Sequence, residues 1–167
     1  YGYGAHGTSL LPSFWKSFVP WVARGGIFAI ANIRGGGEFG KSWQEAGSGI
    51  NKQNSLDDFI TVAEHLISQK YTDTQHLGIY GESMGGTLVS AVSVQHPELF
   101  KAVCVGVGIT DIVRFPLFGI AVRWTGELGD PQDEKGLRVI LKWSPYHNVK
   151  EGIEYPAYLF MTGENDT

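Results

Sequence analysis

Cysteine, clustered basic residues and long apolar runs are all scarce in this 167-residue sequence. A single cysteine, Cys104, cannot form an internal disulfide or a metal cluster, so neither a disulfide-stapled secreted scaffold nor a zinc module is supported. The net charge is -4 and no run of five or more basic residues occurs, which argues against a nucleic-acid binder. The longest apolar stretches are six to eight residues, far short of the roughly 20 that span a bilayer.

The composition that remains is that of a soluble globular protein. With 43% hydrophobic residues, the chain can bury one sizeable core but is too short for two ordinary domains, so residues 1–167 are expected to form a single domain. We expect a cytoplasmic protein, with a periplasmic or secreted location left open. The chain begins without Met and stops at Thr167, and we expect it to be a piece of a longer protein.

Short apolar runs alternate with helical patterns along the chain. Strands are predicted over 26–33, 74–80, 102–107 and 157–161. Helices are predicted from about Asn54 to about Lys70, and from Thr87 to near His96. Residues 110–148 are irregular and are expected to form helical caps and loops. This alternation predicts an α/β domain with a mainly parallel sheet flanked by helices.

The strongest chemical signal is Gly81-Glu-Ser-Met-Gly85, set between a predicted strand and a predicted helix. Gly-x-Ser-x-Gly in that context is the nucleophile elbow of the α/β-hydrolase fold, in which a sharp turn lifts the serine hydroxyl clear of the sheet. Ser83 is therefore the candidate nucleophile. The plainer alternative is a serine in a glycine-rich turn that has no catalytic task.

A serine nucleophile needs a histidine base and a carboxylate that orients it. In this fold the acid follows the serine and the histidine comes last. Asp166 follows a predicted strand and is the best candidate acid, with Glu164 as its local rival. All five histidines precede Asp166, so we expect the base beyond Thr167 and a catalytically poor chain in its absence. The reaction needs no metal and no organic cofactor.

Several motifs occur together in an order that is typical of one family. They are Tyr1-Gly-Tyr-Gly4, Ala31–Gly40, Asn51–Phe59, Gly81–Gly86, Trp124 and Ser144–Val149. From Tyr1 to Thr167 the sequence resembles the catalytic domain of prolyl oligopeptidase, serine peptidase family S9. The resemblance implies cleavage after proline in short peptides through an acyl-enzyme, and a β-propeller domain elsewhere in the parent chain that restricts access to the site.

The resemblance also implies roles for individual residues. Ser83 matches the nucleophile and Asp166 the triad acid, while the Tyr3 hydroxyl and the Met84 N–H match the two donors of the oxyanion hole. The implied substrate-binding residues are Trp124, which would stack on the substrate proline, His6, Ile109 and Ile120.

Two of these positions depart from the family pattern. His6 stands where a phenylalanine is usual and Met84 where an asparagine is usual, so the substrate preference is less firmly implied than the reaction. Glu127 raises the alternative of an oligopeptidase B-like enzyme that selects basic residues, although Trp124 favours proline. Arg34 and Asp111 are expected to form structural contacts.

Other functions remain open at this stage. An esterase or an acylaminoacyl peptidase of the same fold would carry the same elbow and acid. A non-catalytic, hydrolase-like binding module is a candidate from a different class, because the sequence contains no histidine after Asp166. A fragment without independent function is the third alternative.

Overall fold

A three-stranded parallel sheet lies at the centre of the computed structural model, which describes residues 1–164. The strands are β1 (Gly78–Glu82), β2 (Ala102–Gly106) and β3 (Ala157–Met161), in the spatial order β1-β2-β3. Gly78 pairs with Ala102, and Ala102 pairs with Ala157, so the three carboxyl ends meet at one edge. Parallel pairing needs crossover connections, and these place helices on the faces of the sheet.

Helices supply the rest of the regular structure in residues 1–164. They are α1 (Val19–Val22), α2 (Lys41–Glu45), α3 (Gln53–Ser68), α4 (Met84–Gln95), α5 (Thr125–Leu128), α6 (Glu134–Trp143) and α7 (Pro145–Asn148). Short 3-10 turns cover Lys16–Phe18, Gly49–Asn51, Pro97–Leu99, Phe115–Leu117 and Ala121–Trp124. None of the helices in this part of the chain is long and apolar enough to cross a membrane.

Helix α4 is the centre of the core. It packs on β1, β2 and α3, and its first ten residues, Met84–Ser93, are all buried. A helix that is apolar on all sides belongs in the interior. Its buried serines are satisfied locally, because the Ser90 hydroxyl donates to the Gly86 carbonyl at 2.8 Å and that of Ser93 to the Val89 carbonyl at 2.6 Å. The N-terminus of α4, where Ser83 lies, is therefore rigidly placed.

Most of the predicted elements are confirmed. The helix expected from about Asn54 to Lys70 is α3, and the strand predicted over 157–161 is β3. Residues 110–148 form helical turns and loops, as expected. The strand predicted over 74–80 begins only at Gly78, because the Gln75 N–H donates to the Asp73 carboxylate at 2.9 Å and closes a turn there.

The strand predicted over 26–33 is wrong. This segment makes one isolated parallel bridge, between Gly2 and Ala31, and Ile27 is 60% exposed. Its apolar side chains pack by another route: the ring of Phe28 stacks on that of Phe18 with centroids 3.7 Å apart. A short apolar run does not by itself distinguish a strand paired in a sheet from a partly exposed segment whose side chains pack on aromatic rings.

Candidate active site

Ser83 occupies a strained backbone conformation at the carboxyl end of β1. Its φ of 54° and ψ of −122° lie in a region that a non-glycine residue enters at a cost of about 1–3 kcal/mol. The turn is held on both sides, since the Ser83 N–H donates to the Gly106 carbonyl at 2.9 Å and its carbonyl accepts from the Thr87 N–H at 3.1 Å. The sheet and α4 together maintain the strain.

The side chain of Ser83 is exposed, although the residues that follow it in α4 are buried. Serine often caps a helix N-terminus through its hydroxyl, but Ser83 makes no such bond to α4. Among residues 1–164 its hydroxyl has no hydrogen-bond partner. The strained turn thus presents an uncommitted hydroxyl to solvent, which is what a nucleophile elbow requires.

The glycines around Ser83 are required by close backbone contacts. A Cβ added at Gly81 would lie 2.1 Å from the Gly85 carbonyl oxygen, and one at Gly85 would lie 2.5 Å from that of Gly2. At Gly86, a Cβ would come within 2.6 Å of the Gly106 carbonyl oxygen. These contacts are with backbone atoms, which cannot swing away. The clustered glycines of the sequence are therefore what permits the turn.

Both candidate oxyanion donors belong to segments beside this turn. Met84 is the first residue of α4, where an N–H has no partner within the helix and the helix dipole favours negative charge. The Cα of Tyr3 lies 3.6 Å from the position of a Cβ built on Gly85, so its loop borders the elbow. Within residues 1–164 the Tyr3 hydroxyl also has no hydrogen-bond partner.

The candidate pocket residues form a row of rings that begins at Tyr3. The ring centroids of Tyr3 and His6 are 6.5 Å apart, and those of His6 and Trp124 are also 6.5 Å apart. Ile109 lies beside α4, since its N–H donates to the buried Thr87 hydroxyl at 3.0 Å. Ile120 begins the turn that ends at Trp124, but its side chain is 53% exposed.

The loop that carries Tyr3 and His6 is anchored by two buried charges. The Lys52 ammonium donates to the Gly4 carbonyl and to the Glu127 carboxylate, each at 2.8 Å. The His6 N–H donates to the same carboxylate at 3.0 Å. Because this carboxylate is buried and already bound to Lys52, the geometry does not offer it to a basic substrate residue.

Sequence reasoning did not single out Lys52. A lysine just before an amphipathic helix is ordinarily a solvated surface residue, yet Lys52 is only 3% exposed and burial lowers the pKa of its ammonium group. No local sequence pattern indicates this role, because Lys52 and Glu127 are 75 residues apart in the chain and only the fold brings them together.

Two other charged residues have the structural roles expected of them. Arg34 binds the Asp58 carboxylate through two guanidinium nitrogens, at 2.8 and 2.5 Å, which braces the glycine loop against α3. Asp111 pairs with Arg114 at 2.6 Å. Burial opposes the charge of Asp111, but its hydrogen bonds with Arg114 outweigh burial and lower the pKa of the carboxyl group.

Three of the histidines bind local partners. The Nδ1 atoms of His76 and His96 lie 2.7 and 3.0 Å from the carboxylates of Asp73 and Glu98. His147 meets the Ser144 hydroxyl at 2.9 Å. These contacts are with residues two or three positions away in the chain, as expected of surface and capping histidines.

The candidate acid, Asp166, lies outside the described residues. Strand β3, which precedes it in the chain, lies two positions from β1, or roughly 10 Å at ordinary strand spacing.

Comparison with known proteins identifies the family of this chain. A sequence profile of the prolyl oligopeptidase family matches residues 12–167. The chain belongs to the prolyl oligopeptidase family. It is 44% identical over 167 residues to a prolyl endopeptidase of Dictyostelium discoideum, with 99% of this chain and 22% of that protein covered. A prolyl endopeptidase of Elizabethkingia meningoseptica is 40% identical over 167 residues, with 99% and 24% covered.

Solved structures of prolyl oligopeptidase family members share the fold. A prolyl endopeptidase structure superposes with a TM-score of 0.95 at 45% identity, covering 97% of this chain and 24% of that one. A post-proline cleaving enzyme from Rickettsia typhi gives 0.92 at 40% identity, with 94% and 23% covered. The α/β-hydrolase fold and the family resemblance are confirmed. The chain spans about a quarter of the length of these relatives.

Proposed function

We propose that this chain is the nucleophile-bearing core of a serine peptidase that cleaves short peptides after proline. The observation that carries the proposal is the exposed, uncommitted hydroxyl of Ser83 on a strained turn between β1 and α4. Membership of a family whose relatives are prolyl endopeptidases supports the substrate class. The activity belongs to a full-length protein of which this chain would form a part.

The proposed reaction is acyl transfer. A histidine outside these 167 residues, oriented by Asp166, takes the proton of the Ser83 hydroxyl as the oxygen attacks the carbonyl carbon of the substrate proline. The tetrahedral oxyanion is stabilised by the Tyr3 hydroxyl and the Met84 N–H. The histidine then protonates the leaving amine, and water releases the acyl group from Ser83.

We assign proline selectivity to the row of rings formed by Tyr3, His6 and Trp124 beside the turn at Ser83. The flat pyrrolidine ring of the substrate would lie against the face of Trp124, with His6 between Trp124 and Tyr3 and with Ile109 and Ile120 as apolar neighbours. We also propose that a β-propeller domain of the full-length protein admits only short peptides, and that the protein acts in the cytoplasm.

A comparison of three chromogenic substrates, a Gly-Pro amide, a Gly-Ala amide and an ester, tests the peptidase proposal against an esterase of the same fold. The full-length protein is expected to hydrolyse a Gly-Pro amide at a higher kcat/KM than a Gly-Ala amide. Turnover of esters together with no turnover of proline amides would contradict the proposal.

Tyr3→Phe tests the oxyanion assignment. Removing one donor of an oxyanion hole lowers kcat by about 100-fold or more, and we expect a loss of this size with little change in KM. Steady-state kinetics on the Gly-Pro amide measure it. Tyr71→Phe is the matched control, because Tyr71 is 60% exposed and lies outside the site. A Tyr3→Phe enzyme as fast as the control would remove Tyr3 from the mechanism.

Trp124→Leu tests the pocket assignment. The substitution keeps an apolar side chain but removes the aromatic face, whose contribution of about 0.5–1.5 kcal/mol corresponds to a loss of up to about tenfold in selectivity for proline over alanine. The ratio of kcat/KM values for the Gly-Pro and Gly-Ala amides measures it. Trp21→Leu, at a 56% exposed position, is the control. An unchanged ratio in Trp124→Leu would mean that the proline ring binds elsewhere.

A further inference from the structure

Lys52 and Glu127 form an ion pair in the interior, where charged side chains are rarely found. Lys52 is 3% exposed and Glu127 is 7% exposed, and their nitrogen and oxygen atoms are 2.8 Å apart. Desolvating two charges is costly, and a buried pair of this kind is often no more stabilising than apolar residues of similar volume. The pair therefore calls for an explanation beyond stability.

The remaining hydrogen bonds of the pair are concentrated on one loop. Lys52 donates to the Gly4 carbonyl at 2.8 Å, and Glu127 accepts from the His6 N–H at 3.0 Å. The two charges thus hold the backbone on both sides of Ala5, which is fully buried. A third bond to Glu127 comes from the Ser48 hydroxyl, at 3.3 Å from Oε2.

This loop has a backbone that would relax without such anchors. Gly4, His6 and Gly7 have φ values of 59°, 56° and 65°, and for His6 this left-handed conformation is strained. The Gly7 N–H donates to the Gly35 carbonyl at 3.0 Å, which fixes the far end of the loop. Within the segment from Gly4 to His6, the Gly4 carbonyl and the His6 N–H are both bound by the ion pair.

The anchored segment lies between the two functional regions of the site. Tyr3 directly precedes Gly4, and its Cα borders the elbow at Gly85. Glu127 lies three residues after Trp124, whose ring faces that of His6. One ion pair therefore links the loop of the oxyanion donor, the wall of the pocket and the start of α3.

We propose that Lys52 and Glu127 are positioning residues, which hold the loop of Tyr3 and His6 in register with Ser83 and Trp124. The inference rests on the proposed function, because the register matters for catalysis only if Ser83 acts as the nucleophile. A charged pair suits this task since its two members offer opposite hydrogen-bonding character. The ammonium binds a carbonyl of the loop and the carboxylate binds an N–H, and an apolar pair could fill the space but make neither bond.

Because an apolar pair lacks these two hydrogen bonds, replacing the ion pair by apolar residues separates its effect on the position of the loop from its effect on the stability of the fold. The double variant Lys52→Met/Glu127→Leu in the full-length protein removes both charges, leaves no unpaired charge behind and approximately preserves the volume. We expect its denaturant midpoint to fall only modestly, because removing both charges together is nearly neutral while the Gly4 carbonyl and the His6 N–H lose their partners. We expect kcat for the Gly-Pro amide to fall about 100-fold, as for a misplacement of about 1 Å, while KM stays within about threefold.

A second readout does not depend on activity. Hydrogen exchange of the amides of residues 3–7 is expected to accelerate at least about tenfold in the double variant, because the His6 N–H loses its acceptor. Lys52→Met/Glu127→Gln also leaves no unpaired charge but keeps an amide oxygen that can accept from the His6 N–H, and we expect it to recover part of the lost kcat and part of the protection. Arg138→Met/Glu134→Gln, which removes an exposed ion pair on α6, is the matched control.

The outcomes separate the two proposals. A double variant that keeps both its kcat and the slow exchange of residues 3–7 would overturn the positioning role. If the double variant does not fold, Lys52→Met/Glu127→Gln, which also leaves no unpaired charge, decides by the same readouts: slower turnover with faster exchange supports the role, and no change in either overturns it. If the full-length protein without substitutions hydrolyses no proline amide, the proposed function is refuted. Hydrogen exchange of residues 3–7 in the double variant would then be the remaining test of whether the ion pair holds the loop.

Discussion

Ser83→Ala is expected to lower kcat for a proline amide by about a million-fold, the size of effect that follows removal of a serine nucleophile. The loss is expected to be confined to the reaction because of where the Ser83 hydroxyl lies. The Ser83 hydroxyl is exposed and bonded to no other group in residues 1–164, so its removal disturbs no described contact. The loss should therefore appear in kcat without any loss of thermal stability. Initial rates and a thermal unfolding curve of the full-length protein measure both quantities.

Ser68→Ala is a suitable control for this experiment. Ser68 is an exposed serine at the end of α3, and its hydroxyl donates to the His65 carbonyl within the same helix. We expect its activity to equal that of the original protein. If Ser83→Ala retained more than about 1% of the original rate, another residue would have to be the nucleophile.

Gly81→Ala is expected to damage both the fold and the reaction. The new Cβ would lie 2.1 Å from the Gly85 carbonyl oxygen, so β1 and the start of α4 must move apart. Overpacking of this kind costs about 3 kcal/mol in the free energy of unfolding. Because the movement displaces both Ser83 and the Met84 N–H, we also expect kcat to fall by about 1,000-fold. Denaturant unfolding and steady-state kinetics measure the two effects.

Gly78→Ala is the matched control, in the same strand. A Cβ at Gly78 would lie 3.7 Å from the Ala102 carbonyl oxygen, which is ordinary van der Waals contact. We expect a change of less than about 1 kcal/mol in the free energy of unfolding and normal turnover. Equal stability of the two variants would show that the close approach of Gly81 to Gly85 is not a constraint on the turn.

The fold was predictable where local pattern and burial agree. Strand β3 and helix α3 carry clear periodic or unbroken apolar signals, and their predicted positions are correct. The segment 26–33 has the same apolar signal as a buried strand, but its side chains pack against aromatic residues and it forms only one bridge. Composition alone cannot choose between these two kinds of packing.

The site was predictable to the extent that its residues lie in continuous motifs. The turn at Ser83 and the loop that begins at Tyr3 are each contiguous in sequence, and the structure places them side by side. The pairing of Lys52 with Glu127 joins positions 75 residues apart and has no local pattern. From the sequence, Glu127 is a candidate selector of basic substrate residues, whereas the structure shows its carboxylate bound to Lys52.

The most direct test of the central claim is the location of a covalent adduct. The full-length protein is treated with a fluorophosphonate, digested, and analysed by mass spectrometry. We expect one modified site, on Ser83 in the peptide that contains Gly81-Glu-Ser-Met-Gly85, and no modification in Ser83→Ala. An adduct on a different serine, or an original protein that remains unlabelled, would contradict it.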